Sequence, residues 1–408
     1  MARLGIDFGT SNTAAAVMAG GSPYVIPLEP GETTLPTAVF FDPDQAKPIY
    51  GHRAVAALIE GREGRFMRAL KSVLGTQLMR EKRLIGRERI TLMEVVARFL
   101  AKVKAEAEAQ TYQTFDTALS GRPVHFHSRD MERDAQAAVD LAECYAMAGF
   151  KDVEFLPEPE AAAIACGGVE SGYGLVVDIG GGTSDFTVFQ GAAGAIDVIA
   201  SHGVRIGGTD FDRLLNIAHV MPLLGYGSEL KNVFGNETNR APNAIFHDLA
   251  TWEKIPFQYS ADVKRNVAKM AQVAVEPELW DRLQEVLEDE LGHEIAFAVE
   301  RGKIAANAGN GVIDLRVLES GLSVPLAPVD LYQGLGATVA EIVTAASTTI
   351  EKAGIGREDI TKVVMVGGSS LLGVVAEGTK SLLPHAVIER SDPFTAVVNG
   401  LAIAAEGN

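Results

Sequence analysis

The sequence predicts an α/β protein built from two duplicated halves. Short apolar strand patterns alternate with amphipathic helix patterns along the 408 residues, which is typical of the α/β class. Two segments, Arg3–Val17 and Gly174–Phe189, repeat one order: a strand, an aspartate, a glycine turn with Thr and Ser, and a second strand. The two aspartates, Asp7 and Asp178, are 171 residues apart. A period of this length indicates a domain duplication rather than a solenoid.

A second repeat supports the duplication. Glu158–Gly167 and Asp392–Gly400 each place an acid before a proline, and small residues then run to a glycine. Proline at this position favours a helix start, so we expect a small-residue helix to close each half. We therefore predict one lobe over residues 1–172 and a second over 173–408, with a subdomain over 209–330.

The remaining patterns place the elements in order. Strands are predicted at 3–8, 13–18, 174–178, 185–190, 195–201 and 362–366, with a further strand over Gly121–Phe126. Helices are predicted at 91–111, 130–148, 160–167, 209–220, 279–307, 329–353, 370–383 and 394–404. Residues 221–261 show little periodicity, so we interpret them as an irregular insertion.

Composition narrows the classes of function. The chain has 36 basic and 53 acidic residues, a net charge of −17, which argues against a nucleic-acid partner. No apolar run reaches the ~18 residues of a membrane helix, and Asp7 interrupts the first apolar stretch, so neither a membrane span nor a signal peptide is expected. Two cysteines, Cys144 and Cys166, exclude a disulfide framework and favour a reducing cytoplasm.

The two aspartate–glycine turns carry the chemistry. A glycine turn after a strand exposes backbone N–H groups that suit phosphate oxygens. Two such turns facing each other would hold a polyphosphate from both sides, and Asp7 and Asp178 would hold Mg²⁺ through its waters. The sequence contains no Walker A pattern, so this would be a nucleotide clamp of another kind.

Five motifs occur in an order and spacing that we recognise. They are GIDFGTSN, PEPEAAAIA, VVDIGGGTSDF, RIGGTDFD (Arg205–Asp212) and VVMVGGSS (Val363–Ser370). The chain resembles the DnaK-type chaperones of the 70-kDa heat-shock family, within the actin and sugar-kinase superfamily. The resemblance implies an actin-like ATPase fold, in which two lobes surround a nucleotide cleft. It covers the nucleotide-binding half of a full chaperone, and we expect no peptide-binding domain.

The resemblance also assigns site residues. The first phosphate loop would comprise Asp7, Gly9, Thr10, Ser11 and Asn12, and the second Asp178, Gly180, Gly181, Gly182, Thr183 and Asp185. The adenosine side would comprise Gly207, Gly208, Glu300, Lys303, Asn307, Gly367, Gly368 and Ser369. Lys71 would reach the transferring phosphate, Thr10 and Thr183 would contact it, and Asp178 or Glu158 would orient or deprotonate water. Ile304 and Leu371 stand where the family often has arginines that sandwich adenine.

These matches predict a weak Mg²⁺-dependent ATPase with ATP or ADP bound. We expect a cytoplasmic, chaperone-like monomer or small homo-oligomer that acts on an unknown protein client or co-chaperone, with no nucleic-acid or membrane partner. A small-molecule kinase, an enzyme-reactivating factor and a filament or scaffold ATPase of the same superfamily are the alternatives. His125 and His127 suggest a metal, but without an evident third ligand we interpret them as structural.

Overall fold

The computed structural model describes residues 3–169, 171–191, 196–232, 237–390, 392 and 395–406. The chain forms two compact units, one of Met1–Gly208 with Thr338–Asn408 and one of Thr209–Ala337. The predicted lobes, 1–172 and 173–408, were drawn from the sequence repeat, whereas these units reflect how compactly the chain packs. The two lobes therefore stay a prediction.

Strands and helices alternate through the described residues. The strands are β1 (Arg3–Phe8), β2 (Asn12–Ala19), β3 (Ser22–Val25), β4 (Leu35–Pro36), β5 (Ala38–Phe41), β6 (Ile49–Tyr50), β7 (Arg65–Arg68), β8 (Arg83–Ile85), β9 (Glu88–Ile90), β10 (Thr117–Arg122), β11 (Asp152–Pro157), β12 (Tyr173–Ile179), β13 (Ser184–Gln190), β14 (Asp197–Val204), β15 (Glu229–Lys231), β16 (Thr238–Arg240), β17 (Gly311–Asp314), β18 (Ser323–Leu326), β19 (Ile360–Val366) and β20 (Val387–Arg390). The helices are α1 (Gly51–Ile59), α2 (Leu92–Thr111), α3 (Met131–Met147), α4 (Glu158–Ala165), α5 (Gly208–His219), α6 (Ala244–Leu249), α7 (Ala261–Ala271), α8 (Pro277–Glu288), α9 (Gly292–Asn307), α10 (Pro328–Lys352), α11 (Gly373–Leu382) and α12 (Ala396–Glu406).

The duplication is visible in two sheets of the first unit. One has the order β11-β10-β1-β2-β3, with β4 also pairing with β2, and the other has the order β20-β19-β12-β13-β14. In each sheet the central hairpin is antiparallel, and parallel strands extend it on one side. The registers match as well: Asp7 lies opposite Ala14, and Asp178 lies opposite Asp185. The two hairpins therefore share strand order, direction and register.

The two small-residue helices, α4 and α12, pack against each other in the first unit. At Gly400 of α12 a Cβ atom would lie 1.7 Å from the backbone oxygen of Ala161 in α4, so the crossing requires glycine. Glycine on β1 serves the same packing, because a Cβ at Gly5 would lie 3.0 Å from the backbone nitrogen of Ala402. Small side chains thus let these helices approach each other and the first sheet closely.

Local sequence signals explain where the longer helices begin. Thr91 and Glu94 form a reciprocal capping box at the start of α2, and the Asp130 side chain accepts a hydrogen bond from the Arg133 N–H at the start of α3. The buried faces of α2 and α3 then pack with the first sheet in one apolar core, which includes Phe8. The same signals made both helices predictable to within one residue at either end.

The helix predicted over 279–307, in the second unit, is wrong. The structure has two helices, α8 and α9, separated at Glu290, whose φ of 56° is left-handed. The Tyr259 hydroxyl stabilises this break, because it donates to the Glu290 carbonyl (2.9 Å) and accepts from the Gly292 N–H (3.0 Å). A tertiary contact therefore interrupts a continuous helical pattern.

Other predictions differ in their limits. The strand predicted over Gly121–Phe126 ends at Arg122, because Pro123 has no N–H for a sheet and the Val124 N–H bonds to Asp185 instead. The 221–261 insertion contains the short elements β15, β16 and α6. Three residues of these predictions lie outside the described residues: 195 begins the strand predicted over 195–201, 394 begins the helix predicted over 394–404, and 393 lies in the second repeat. No helix among the described residues is long and apolar enough to span a membrane.

Candidate functional site

The two glycine turns have the same backbone geometry. In the first, the Gly9 N–H donates to the Asn12 carbonyl (3.0 Å), and in the second the Gly180 N–H donates to the Thr183 carbonyl (3.0 Å). A Cβ at Gly9 would lie 2.3 Å from the Asn12 oxygen, so the first turn closes only with glycine. Each turn directly follows a strand that contains one of the paired aspartates.

The tips of the two turns meet. A Cβ at Gly181 would lie 2.5 Å from the Ser11 hydroxyl oxygen, and one at Gly182 would lie 2.9 Å from the Thr10 hydroxyl oxygen. Residues 170 and 172 positions apart in the two hairpins therefore face each other across a gap in which only glycine fits. The structure brings together the two loops that the sequence predicted as a phosphate clamp.

Further predicted glycines surround the second turn. The Gly208 N–H donates to the Gly180 carbonyl (2.9 Å), and the Ser369 hydroxyl donates to the same oxygen (3.2 Å). A Cβ at Gly207 would lie 2.6 Å from the Gly181 carbonyl carbon. Gly367 has a φ of +79° and ends β19 beside β12, and Gly368 begins the 3-10 helix Gly368–Leu371. The predicted residues 207, 208 and 367–369 thus lie at the second glycine turn.

Lys71 and Glu158 form a buried ion pair. The Lys71 Nζ lies 2.5 Å from the Glu158 Oε1, and both residues are less than a tenth exposed. Lys71 sits in a 3-10 helix (Leu70–Val73) that follows Ala69, a non-glycine residue with a φ of 60°. Glu158 is the first residue of α4, and a Cβ at Gly121 of β10 would lie 3.2 Å from its Cγ. The Glu158 side chain is therefore packed tightly against β10, and its ion pair holds the Lys71 side chain.

Acidic groups crowd this ion pair. Burial, and then the Glu158 charge, raise the pKa of Asp7 to about 7 and the pKa of Asp185 to about 7. Burial also raises the pKa of Asp178 well above its usual range, with Glu158, Asp185 and Asp7 adding to the effect. Burial alone would lower the pKa of Lys71, but the Glu158 and Asp7 charges raise it. The site therefore has an excess of negative charge around one lysine.

Asp185 links the second turn to the segment after β10. Its Oδ1 accepts a hydrogen bond from the Val124 N–H (2.8 Å), and the Thr183 side chain also bonds to it. Gly203 on β14 leaves room for this carboxylate, since a Cβ there would lie 2.2 Å from Oδ1. The role of Val124 was not predicted, because a backbone N–H has no signal in the sequence.

This donor set fits a divalent cation. Asp7 and Asp178 present carboxyl oxygens in an enclosed site where acidic groups outnumber the single lysine, and a bound cation would relieve their mutual repulsion. Within the described ranges, no three acidic, histidine or cysteine side chains are grouped as direct ligands of one metal ion. Two carboxylates nevertheless suit Mg²⁺, which keeps several of its waters.

Three predicted nucleotide ligands lie in the second unit, on α9. Glu300, Lys303 and Asn307 follow one another along one face of the helix. The Lys303 Nζ lies 2.6 Å from the Asp212 Oδ1, both side chains are buried, and the Trp252 Nε1–H donates to the Asp212 Oδ2 (3.2 Å). The sequence did not predict this ion pair, although Asp212 is the last residue of the motif Arg205–Asp212. Ligand binding by these three residues stays a prediction.

The histidines and cysteines have structural surroundings. The buried His127 bonds through Nε2 to the Leu74 carbonyl (2.7 Å), and His125 lies 3.3 Å from Asp134. Burial lowers the pKa of His127. Both cysteines are free, and burial raises the pKa of the Cys144 thiol to about 12, so it is protonated near neutrality.

Two duplicated sheets, each with an aspartate and a glycine turn after its first central strand, define an actin-like α/β fold of the ATPase type. The model of the Hsp70 protein family matches residues 3–84 and 76–224, which together make up more than half of the chain. The chain therefore belongs to the Hsp70 family, and the predicted resemblance and fold class are confirmed.

One relative is the chaperone protein DnaK of Nitrosopumilus maritimus (strain SCM1). It is 26% identical over 410 residues, and the alignment covers 98% of this chain and 55% of that protein. The chain thus spans about half the length of this curated relative.

Proposed function

We propose that the chain binds ATP with Mg²⁺ and hydrolyses it slowly as a chaperone-like member of the Hsp70 family. The observation that carries this proposal is the meeting of the two glycine turns beside the Lys71–Glu158 ion pair and the two strand-end aspartates. Backbone N–H groups at glycine turns suit phosphates, and the crowded carboxyl groups suit a cation. The name of the DnaK relative supports the chaperone part of the proposal.

The proposed reaction is an in-line attack of water on the γ-phosphorus. The water oxygen forms the new bond, the bond to the β–γ bridging oxygen breaks, and ADP leaves with the electron pair. The N–H groups of both turns and the hydroxyls of Thr10 and Thr183 donate to phosphate oxygens. The Lys71 ammonium neutralises the charge that develops on the transferring group.

One carboxylate must accept the proton of the attacking water. Glu158 uses its Oε1 to hold Lys71, so we assign it to orienting that lysine. Asp178 lies at the end of β12, next to the second glycine turn, and is our candidate for the proton acceptor. Asp7 and Asp178 would hold Mg²⁺, which when bound offsets the negative charge of the phosphates.

Phosphate release by the purified protein tests the proposal. We expect Asp178→Asn and Lys71→Ala each to lower the rate by about 10²–10³, because each removes a group that positions or neutralises the reacting phosphate. Glu160→Gln is the matched control, because Glu160 lies on α4 two residues after Glu158 and should leave the rate unchanged. Wild-type protein that binds no nucleotide in calorimetry would refute the proposal.

We further infer that the protein works in the cytoplasm with a protein client or co-chaperone. Two free cysteines suit a reducing compartment, and the family membership suits a protein partner. Capture of a specific partner by the Asp178→Asn variant in the presence of ATP, and not of ADP, would support this part. Equal recovery with both nucleotides would contradict a nucleotide-controlled partner.

A further inference from the structure

Arg205 joins the turn around Lys71 to the second glycine turn. Its guanidinium Nη2 donates to the Ser72 carbonyl (2.7 Å), one residue after Lys71. In sequence, Arg205 stands two residues before Gly207, which packs on Gly181. We propose that Arg205 is a positioning residue that ties the Lys71 turn, defined as residues 69–76, to the second glycine turn. We call this contact the clasp. This inference rests on the proposed nucleotide clamp.

The Lys71 turn has two anchors in its own half. The His127 Nε2 bonds to the Leu74 carbonyl (2.7 Å), and the Gly75 N–H donates to the Asp140 carboxylate (2.9 Å). Gly75 has a φ of +78°, and a Cβ there would lie 2.3 Å from the Arg133 carbonyl oxygen. These contacts fix the end of the turn to α3 and to the segment just before it. The Arg205 bond instead ties Ser72, beside the lysine itself, to the second half.

The backbone of Arg205 also bonds to the first half, and the residues that follow Arg205 support the second glycine turn. The Arg205 N–H donates to the Ser128 hydroxyl (3.2 Å), and Gly208, three residues later, donates to the Gly180 carbonyl. A shift of Arg205 would therefore move the residues that support the second turn. The Arg205 side chain thus couples the position of the Lys71 ammonium to the position of the N–H groups proposed to bind phosphate.

The chemistry of the bond suits a clasp that opens and closes. A guanidinium donating to a carbonyl is a charge-assisted hydrogen bond, stronger than a neutral one. Arg205 is exposed, so water can replace the bond at modest cost. When the Arg205 bond is formed, it holds Lys71 beside the second glycine turn. When the bond breaks, the Lys71 turn and the second glycine turn can separate, and nucleotide can leave.

Nucleotide release is the first measurement. We expect Arg205→Ala to speed release of a fluorescent ADP analogue on the order of tenfold, the factor for loss of one charge-assisted bond. The value of kcat should fall as well, because Lys71 loses a constraint, and Arg205→Lys should restore part of both effects. Arg129→Ala is the control, since Arg129 is 88% exposed and, within the part of the chain that the structure describes, forms a long ion pair with Glu341 at 3.8 Å. It removes the same charge without touching the Lys71 turn.

Amide hydrogen exchange in the nucleotide-free protein is the second measurement. The N–H groups of Ser72 and Leu74 are bonded within the turn, and that of Gly208 bonds to Gly180. Arg205→Ala should accelerate exchange in residues 69–76 and at Gly208, and Arg129→Ala should not. Ser128→Ala, which removes the partner of the Arg205 N–H, should have a smaller effect of the same sign and serves if Arg205→Ala does not fold.

The outcomes separate the two claims. Wild-type protein that binds no nucleotide would refute the proposed function, and the exchange data would still decide whether the clasp exists. If the wild-type protein binds nucleotide but Arg205→Ala and Arg129→Ala show the same nucleotide release and the same amide hydrogen exchange, the clasp is overturned. A lower melting temperature with unchanged release and exchange would also overturn it, because that is the result of a merely structural contact.

Discussion

Removal of Lys71 should destabilise the protein even without a ligand, and by an amount that depends on pH. Lys71 faces the carboxylates of Asp7, Glu158, Asp178 and Asp185 and is ion-paired with Glu158 at 2.5 Å. Breaking a buried pair by removing one partner costs about 3–5 kcal/mol. At about 2 °C per kcal/mol for a large domain, Lys71→Ala should lower the melting temperature of the apo protein by about 6–10 °C at pH 8.

The pH dependence follows from the acids that remain. Burial already raises the pKa values of Asp7 and Asp185 to about 7. An acid whose pKa is raised by folding is tolerated below its unfolded pKa and destabilises the fold as pH rises through the folded value. The deficit of Lys71→Ala should therefore be largest above pH 7 and shrink toward pH 5, where the carboxyls take up protons.

Two further variants make the measurement decisive. Lys151→Ala removes a lysine whose ion pair with Asp116 has a similar length, 2.8 Å, but whose side chain is 74% exposed, so it should cost less than about 1 kcal/mol. The double variant Lys71→Ala with Glu158→Gln should recover part of the loss, because the uncompensated charge is gone. Equal deficits at pH 5 and pH 8, together with additive single losses, would refute the reasoning.

Three other predictions concern packing and the second unit. Gly400→Ala should cost about 1–3 kcal/mol, because its methyl group would overlap the backbone of the facing helix, whereas Gly336→Ala, in a helix with open space around it, should stabilise by about 1 kcal/mol; thermal melts compare them. Burial raises the pKa of Glu294 to about 7, so stability of the second unit should be lost as pH rises from about 4.5 through 7, and Glu294→Gln should abolish that loss in melts at pH 5 to 8. Lys303→Met should destabilise the apo protein by about 3–5 kcal/mol, because it removes the lysine that is ion-paired with the buried Asp212 carboxylate; an unchanged melt would mean that Lys303 serves a ligand alone.

The sequence was most informative where function depends on local backbone. The strand, aspartate and glycine order of each hairpin predicted its turn, since these residue types are needed for the geometry itself. It was least informative where distant side chains meet. Lys71 and Glu158 are 87 residues apart in the chain, and their contact had no local signal beyond the family resemblance. The break at Glu290 was missed for the same reason, because the Tyr259 hydroxyl that stabilises it is 31 residues away.

The duplication accounts for the two glycine turns proposed to bind phosphate, but it does not account for the side chains proposed to hydrolyse ATP. The turns at Gly9 and Gly180 are equivalent, so under the proposed function each half would supply the same kind of N–H groups to the phosphates. The remaining side chains break the symmetry: Asp185 stands where the first hairpin has Ala14, and Lys71 and Glu158 come from the first half alone. Two equal turns would hold a symmetric anion, but hydrolysis also needs a cation at the phosphate and an acceptor for the proton of the attacking water. We therefore expect Asn12→Thr, which copies Thr183 of the equivalent turn, to be tolerated, whereas Gly181→Thr and Gly182→Ser should clash with Ser11 and Thr10. Ala14→Asp, which would place a second acid opposite Asp7, should instead weaken the fold, because no additional lysine accompanies it.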